Sequence, residues 1–182
     1  MPTQNGPWTI KGSRNAYKNP WISVREDSVI DPSGKDTIYG VIELHEWLLI
    51  LPVDKDRNVY LTKQFRYALG ADSIEVPAGC ADPGEDPLTG AKRELKEEMG
   101  ITAKKWTLLG KSKAAPGGIN NTIYLFLAED LSFGNTKMDE TENITSLKVP
   151  LEKALKMVEK NEILDVSSTA LILRAKRFLD KR

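Results

Sequence analysis

Three glutamates, Glu94, Glu97 and Glu98, fall on little more than one turn of any helix this stretch can form, since residues at i, i+3 and i+4 share one side of it. Like charges so spaced destabilise an isolated helix by roughly 0.2–0.5 kcal/mol per pair, so folding alone gives no reason to gather them. A divalent cation does. Carboxylate oxygens with no histidine or cysteine among them suit a hard ion, Mg²⁺ or Mn²⁺, which one or two carboxylates hold together with substrate phosphates. The competing reading is a solvated acidic face. Flanking residues give the stretch a loop-then-helix context: Asp82-Pro83-Gly84 sets a turn before it, and Leu88, Ala91, Leu95 and Met99 repeat at helical spacing and give the helix a buried side.

The whole pattern runs Gly79, five residues, Glu85, seven residues, then Arg93-Glu94-Leu95-Lys96-Glu97-Glu98-Met99-Gly100-Ile101. Seven fixed residue types, each at roughly 5–7 % usage, coincide by chance at a given start about once in 10⁸. The stretch resembles the Nudix box of the Nudix hydrolases at every defining position. That resemblance implies Glu94 and Glu98 as metal ligands, Glu97 supporting them directly or through water, and a coordinating backbone carbonyl at Ala78. Arg93 precedes Glu97 by four residues and can pair with it and with Glu85, so it fixes the catalytic carboxylates rather than touching substrate.

The composition matches one domain. Of 182 residues, 40 % are hydrophobic and 29 % charged, ordinary globular usage for a chain able to bury a sizeable core. Lysine plus arginine (26) balance aspartate plus glutamate (26), and no basic run points to nucleic acid. The longest apolar run, Trp47 to Val53, is too short to span a bilayer and reads as a buried strand, so no membrane partner is expected. The N-terminus shows no secretory pattern and the lone Cys80 fits a reducing cytoplasm.

Apolar segments and turn residues place strands at Trp21–Ile30 and Thr37–His45 around Asp31-Pro32-Ser33-Gly34, then at Leu48–Val53, Val59–Phe65 and Ser73–Val76 before the box. Further strands follow near Trp106–Gly110, Thr122–Ala128 and Ile144–Val149. Leu151, Ala154, Leu155 and Val158 repeat at helical spacing, and Ser167 or Ser168 is a cap for a last helix through Phe178. Strands bracketing a central helix, with helices at the end, indicate an α/β/α sandwich around a mixed sheet. Residues 1–42 form an N-terminal strand extension to this single domain.

Outside the box, Gln64-Phe65-Arg66-Tyr67-Ala68 and Glu75-Val76-Pro77-Ala78-Gly79 are similar to the ADP-ribose and nucleoside-diphosphate-sugar pyrophosphatase branch of that family. Arg66 offers a guanidinium fork to a diphosphate. The resemblance places Glu75 and Pro116 beside substrate as well. In one respect the chain departs from the branch, where a glutamate often follows that proline. Here Pro116 leads to Gly117-Gly118-Ile119-Asn120-Asn121, so the loop supplies amides, and another carboxylate must act as general base. The acidic stretch Asp139-Glu140-Thr141-Glu142 resembles the branch's later acidic loop, with Glu142 the first choice and Glu140 the second. The resemblance also implies a homodimer that exchanges its N-terminal strands, where Trp21, with Trp8 and Tyr17, stacks on a nucleobase or serves as a core or interface residue. His45, the only histidine, reads as a packed or hydrogen-bonded strand residue rather than a catalyst, and Cys80 sits at a variable box position.

The reading is a Mg²⁺-dependent hydrolase, Mn²⁺ also serving, that splits ADP-ribose or a nucleotide sugar into a nucleoside monophosphate and a sugar phosphate. Oxidised nucleoside triphosphates or dinucleoside polyphosphates are the alternative substrates. A non-catalytic nucleotide-sugar sensor is the alternative class.

Overall fold

The computed structural model describes residues 2–136 and 144–182. Its strands are β1 (Thr3–Asn5), β2 (Trp8–Lys18), β3 (Ile22–Ile30), β4 (Asp36–Leu44), β5 (Trp47–Pro52), β6 (Asn58–Arg66), β7 (Ala71–Glu75), β8 (Ala78–Cys80), β9 (Ile101–Ser112), β10 (Ile119–Asn120), β11 (Ile123–Phe133) and β12 (Thr145–Pro150). Helix α1 (Pro87–Met99) lies between β8 and β9, and α2 (Leu151–Glu159) and α3 (Val166–Leu179) follow β12. The chain divides into two compact units, one of Met1–His45 with Lys113–Thr122, the other of Glu46–Ser112 with Ile123–Arg182.

The first unit is a five-stranded sheet in the order β1-β2-β3-β4-β10, antiparallel except where β10 joins β4 in parallel. The turn between β3 and β4 is the one expected: Asp31 accepts from the Ser33 and Lys35 backbone N–H groups at 2.7 and 3.0 Å, and Gly34 takes φ 88°. Strand β2 is an addition to the sequence reading. Trp8-Thr-Ile-Lys-Gly-Ser-Arg-Asn-Ala-Tyr-Lys18 has no clean alternation, and two register shifts, after Ile10 and after Asn15, explain why its pattern does not keep period two. His45 proves to lie one residue beyond β4 and exposed, because the β3–β4 ladder ends at the Ile22–Leu44 pair.

The second unit holds a mixed sheet, β8-β5-β11-β9, and an antiparallel one, β12-β6-β7. Strand β11 runs parallel to β5 and antiparallel to β9. Every residue of β5 from Leu48 to Pro52 is buried, as a strand covered on both faces must be. Leu48 and Ile50 pack with Ala91, Leu95 and Met99 of α1 and with Phe126. Alternation turns Leu49 and Leu51 to the opposite face, where α3 packs with its buried Leu171, Ile172 and Ala175. An α/β/α sandwich results, as expected. Strands β9 and β11 outrun their expected spans because they pair with each other along polar stretches, Glu129 opposite Lys105 among them.

Helix ends explain the rest. Asp86 caps α1 by accepting from the Thr89 N–H at 3.0 Å, Pro87 follows in the first turn, and Gly100 closes the helix at φ 63°. The cap of α3 is a correction: Asp165, not Ser167 or Ser168, accepts the orphan N–H, that of Ser168, at 2.6 Å. The Ser168 hydroxyl instead accepts from the Val76 N–H at 3.1 Å. Among the described residues no helix is long and apolar enough to cross a membrane.

A Cβ at position 100 would run into the Gly134 carbonyl oxygen, and the left-handed φ disfavours any side chain there. Gly100→Ala is therefore expected to destabilise the fold by about 1–3 kcal/mol. A lower urea midpoint at unchanged m is the readout; an unaltered midpoint would refute the argument.

Candidate active site

Helix α1 carries Arg93, Glu94, Glu97 and Glu98, and Arg93 ties two of these carboxylates to Glu85 of the preceding loop. Its Nη1 donates to Glu94 at 2.8 Å and to Glu97 at 3.1 Å. Its Nη2 donates to Glu85 at 3.0 Å and to the Cys80 carbonyl at 3.1 Å, and its Nε reaches Glu85 at 3.2 Å. The hydrogen bond with Glu85, followed by those to Glu94 and Glu97, raises the Arg93 pKa against the opposing effect of burial. The same bond holds the Glu85 carboxyl below its usual range. One guanidinium among three carboxylates still leaves the cluster negative. Glu98, on the same helix, is only 5 % exposed.

Whether these residues fit a divalent cation turns on Gly79. A Cβ there would fall on the Glu94 carboxylate, so glycine alone lets the β8 backbone lie against that group. The Glu94 oxygens, which are hard donors, thus lie in a cradle against the Gly79 main chain. Among the described residues no three His, Cys, Asp or Glu side chains make a ready cage. A donor set of one or two carboxylates plus carbonyl, water and phosphate oxygens is the Mg²⁺ pattern, and Mn²⁺ accepts the same ligands. The box loop is itself partly a strand, β8, pairing with the start of β5 through Cys80–Trp47 and Gly79–Leu48. Helix and loop approach closely at one more point, where a Cβ on Gly90 would meet Leu48 at 2.6 Å and Glu85 at 2.7 Å.

Gly79 also lines a cleft of about 350 Å³ with Trp47, Leu49, Arg66, Glu75, Ala78, Cys80, Asp165 and Ser167. Arg66, at the end of β6, clasps Glu75 of β7: Nε donates to Oε1 at 3.0 Å and Nη2 to Oε2. Glu75 is 8 % exposed, and burial by itself would raise its pKa. Hydrogen bonds from Arg66 and Ser73 overcome that and hold the carboxyl below its ordinary range. For Arg66 the Glu75 bond leads again, and the charges of Glu98 and Asp165 add to it, which places the guanidinium in the field of the box. Burial raises the Cys80 thiol, and Glu94 raises it further, so Cys80 is no activated nucleophile.

The remaining expected residues lie in the first unit or outside the described residues. Pro116 and Asn120 line a cavity of about 320 Å³ with Trp8, Arg25, Asp27 and Tyr39. The Asn120 amide donates to Glu43 at 2.7 Å, and the Tyr39 hydroxyl to the Gly117 carbonyl at 2.6 Å. Asn121 is 4 % exposed, and its side-chain oxygen accepts from the Ala114 N–H at 3.3 Å. Trp21 is 73 % exposed. Glu140 and Glu142 lie outside the described residues. Trp47, Asp165 and Ser167 were absent from the sequence reading of the site; Asp165 had a detectable signal, an Asp three residues before Ser168 at a helix start.

Because the folded Glu75 pKa lies below the unfolded one, its contribution is complete above the ordinary glutamate pKa of about 4.3 and fades as pH falls through the folded value. Glu75→Gln is expected to flatten stability against pH in that acid window while lowering it near neutrality. Urea midpoints from about pH 3 to about pH 7 check this, and wild-type slope retained in the variant would contradict it.

Comparison with known proteins adds to this geometry. The sequence model of the NUDIX domain matches residues 45–167, and that of the nucleoside diphosphate sugar hydrolase N-terminal domain matches residues 8–42. The chain is 36 % identical to the ADP-ribose pyrophosphatase of Bacillus subtilis (strain 168) over 83 % of each sequence. It is 30 % identical to the ADP-ribose pyrophosphatase of Mycobacterium tuberculosis (strain ATCC 25618 / H37Rv), over 88 % of this chain and 79 % of that one. In fold it superposes on a crystal structure of an ADP compounds hydrolase with TM-score 0.85 at 20 % identity, covering 98 % of this chain and 97 % of the other. With the box intact, its carboxylates gathered on α1 and the family match spanning most of the chain, this protein belongs to the Nudix family.

Proposed function

We propose that this Nudix pyrophosphohydrolase cleaves the diphosphate of ADP-ribose or of a nucleoside diphosphate sugar, releasing a nucleoside monophosphate and a sugar phosphate. The observation that carries the reading is the cleft in which Arg66, locked by Glu75, shares Gly79 with the Glu94 carboxylate. An arginine so held keeps its Nη1 edge for a phosphate oxygen, a planar match that lysine does not offer. The names of the two pyrophosphatase relatives and of the matched N-terminal domain agree with this substrate class.

Glu94, Glu98 and the Ala78 carbonyl would hold Mg²⁺, or Mn²⁺ in its place, with Glu97 in support. A bound divalent ion supplies charge for the diphosphate oxygens and lowers the pKa of water. Arg93 keeps Glu94 and Glu97 oriented through the hydrogen bonds given above. Arg66 binds the diphosphate and stabilises its growing charge. Glu142, with Glu140 second, accepts the proton of the attacking water. The protein acts as a homodimer in the cytoplasm, its N-terminal strands completing the partner's pocket, so light scattering at micromolar concentration gives twice the mass of the chain. A monomeric mass would remove that part of the reading.

Screening ADP-ribose, nucleotide sugars, oxidised nucleoside triphosphates and dinucleoside polyphosphates with Mg²⁺, by phosphate release after phosphatase treatment, tests the substrate class. Glu98→Gln keeps size and helix propensity but removes a negative ligand, so kcat is expected to fall by orders of magnitude with the fold retained. Near-normal kcat at saturating Mg²⁺ would overturn the ligand assignment.

A further inference from the structure

Trp47 is the one aromatic side chain lining the cleft among the described residues, and neither the box nor the Arg66 segment accounts for it. It opens β5, paired with Cys80 on one side and Ile123 on the other. Alternation along the strand puts Trp47 with Leu49 on the α3 side, away from Leu48 and the α1 core. That is the side where the cap of α3 brings Asp165 and Ser167 into the same cleft. Asp165 is held in place because its carboxylate accepts the Ser168 N–H, and Ser168 is tied to Val76, one residue from Glu75.

Besides the Arg66 fork, the cleft is therefore lined by an indole, a carboxylate and a hydroxyl, with Leu49 beside the indole. A sugar presents a C–H face and a rim of hydroxyl donors, which such a lining matches: the indole takes the apolar face and Asp165 accepts from the hydroxyls. A nucleobase has two flat faces and few donors, and among the described residues the cleft has no second ring to enclose it. We propose that Trp47 is a specificity-determining residue that receives the sugar half of the substrate, with Asp165 and Ser167 reading its hydroxyls. This rests on the reading of the substrate as ADP-ribose or a nucleotide sugar.

Binding of two non-hydrolysable probes with Mg²⁺, measured by calorimetry, tests the inference without turnover. α,β-Methylene-ADP-ribose carries the distal ribose; α,β-methylene-ADP keeps only the nucleoside ribose. Wild-type protein is expected to prefer the first by about tenfold. In Trp47→Leu the preference falls to near unity with affinity for α,β-methylene-ADP kept, and Trp47→Phe retains most of it. The inference is overturned by a preference that survives in Trp47→Leu, by a parallel loss for both probes, or by a wild type that shows none. In wild-type protein labelled at tryptophan, the Trp47 ring is expected to show intermolecular NOEs to C–H protons of the distal ribose. NOEs to base protons instead would overturn it without any variant. Failure to hydrolyse ADP-ribose and nucleotide sugars would sink the proposed function alone, since the probe ratio is read independently of turnover.

Discussion

The Arg93 guanidinium is the interaction on which the box depends. Glu94, Glu97 and Glu98 repel one another along α1, and Glu85 adds a fourth negative charge from the preceding loop. Arg93 meets three of these four carboxylates and the Cys80 carbonyl, using both edges of its fork. The loop and the helix are thereby fixed to each other, and a negative cluster is held in shape before any cation arrives. A lysine would supply the charge but not the geometry, because a single ammonium cannot bridge loop, strand and helix along fixed directions.

Around that centre, close approach follows from small residues. Gly79 lets β8 lie against Glu94, and Gly90 lets α1 lie on Leu48 and Glu85. The apolar stripe of α1 then seats on β5, whose other face is covered by α3. The same strand brings Trp47 to the cleft that Arg66 and Gly79 line, and the hydrogen bond from Val76 to Ser168 ties the start of α3 to the segment that carries Glu75 and Ala78. Core and site share these elements, so the cleft is as rigid as the packing beneath it.

What was legible in the sequence was local. The box could be read because carboxylates, arginine and glycines keep fixed spacings within one turn and one helix, with Asp82-Pro83-Gly84 marking the turn before it. The β3–β4 turn was legible from Asp31-Pro32-Ser33-Gly34 for the same reason. Arg66 and Glu75 were both singled out, yet their pairing was not, since it depends on the β6–β7 register that sets Arg66 opposite Ala71 and Thr62 opposite Glu75. Trp47, Asp165 and Ser167 meet only because β5 and α3 pack together across more than half the chain, and no short pattern encodes that. Strand β2 escaped because its bulges break the alternation by which strands are read.

The central claim is that a backbone lying against the Glu94 carboxylate makes a seat for a divalent cation. Titrating Mn²⁺ into wild-type and Gly79→Ala protein, with free ion read by electron paramagnetic resonance and folding checked by circular dichroism, tests it directly. The account predicts Mn²⁺ binding in the wild type and a loss of at least about tenfold in affinity in a still-folded Gly79→Ala protein. Equal Mn²⁺ affinity in the two would contradict it.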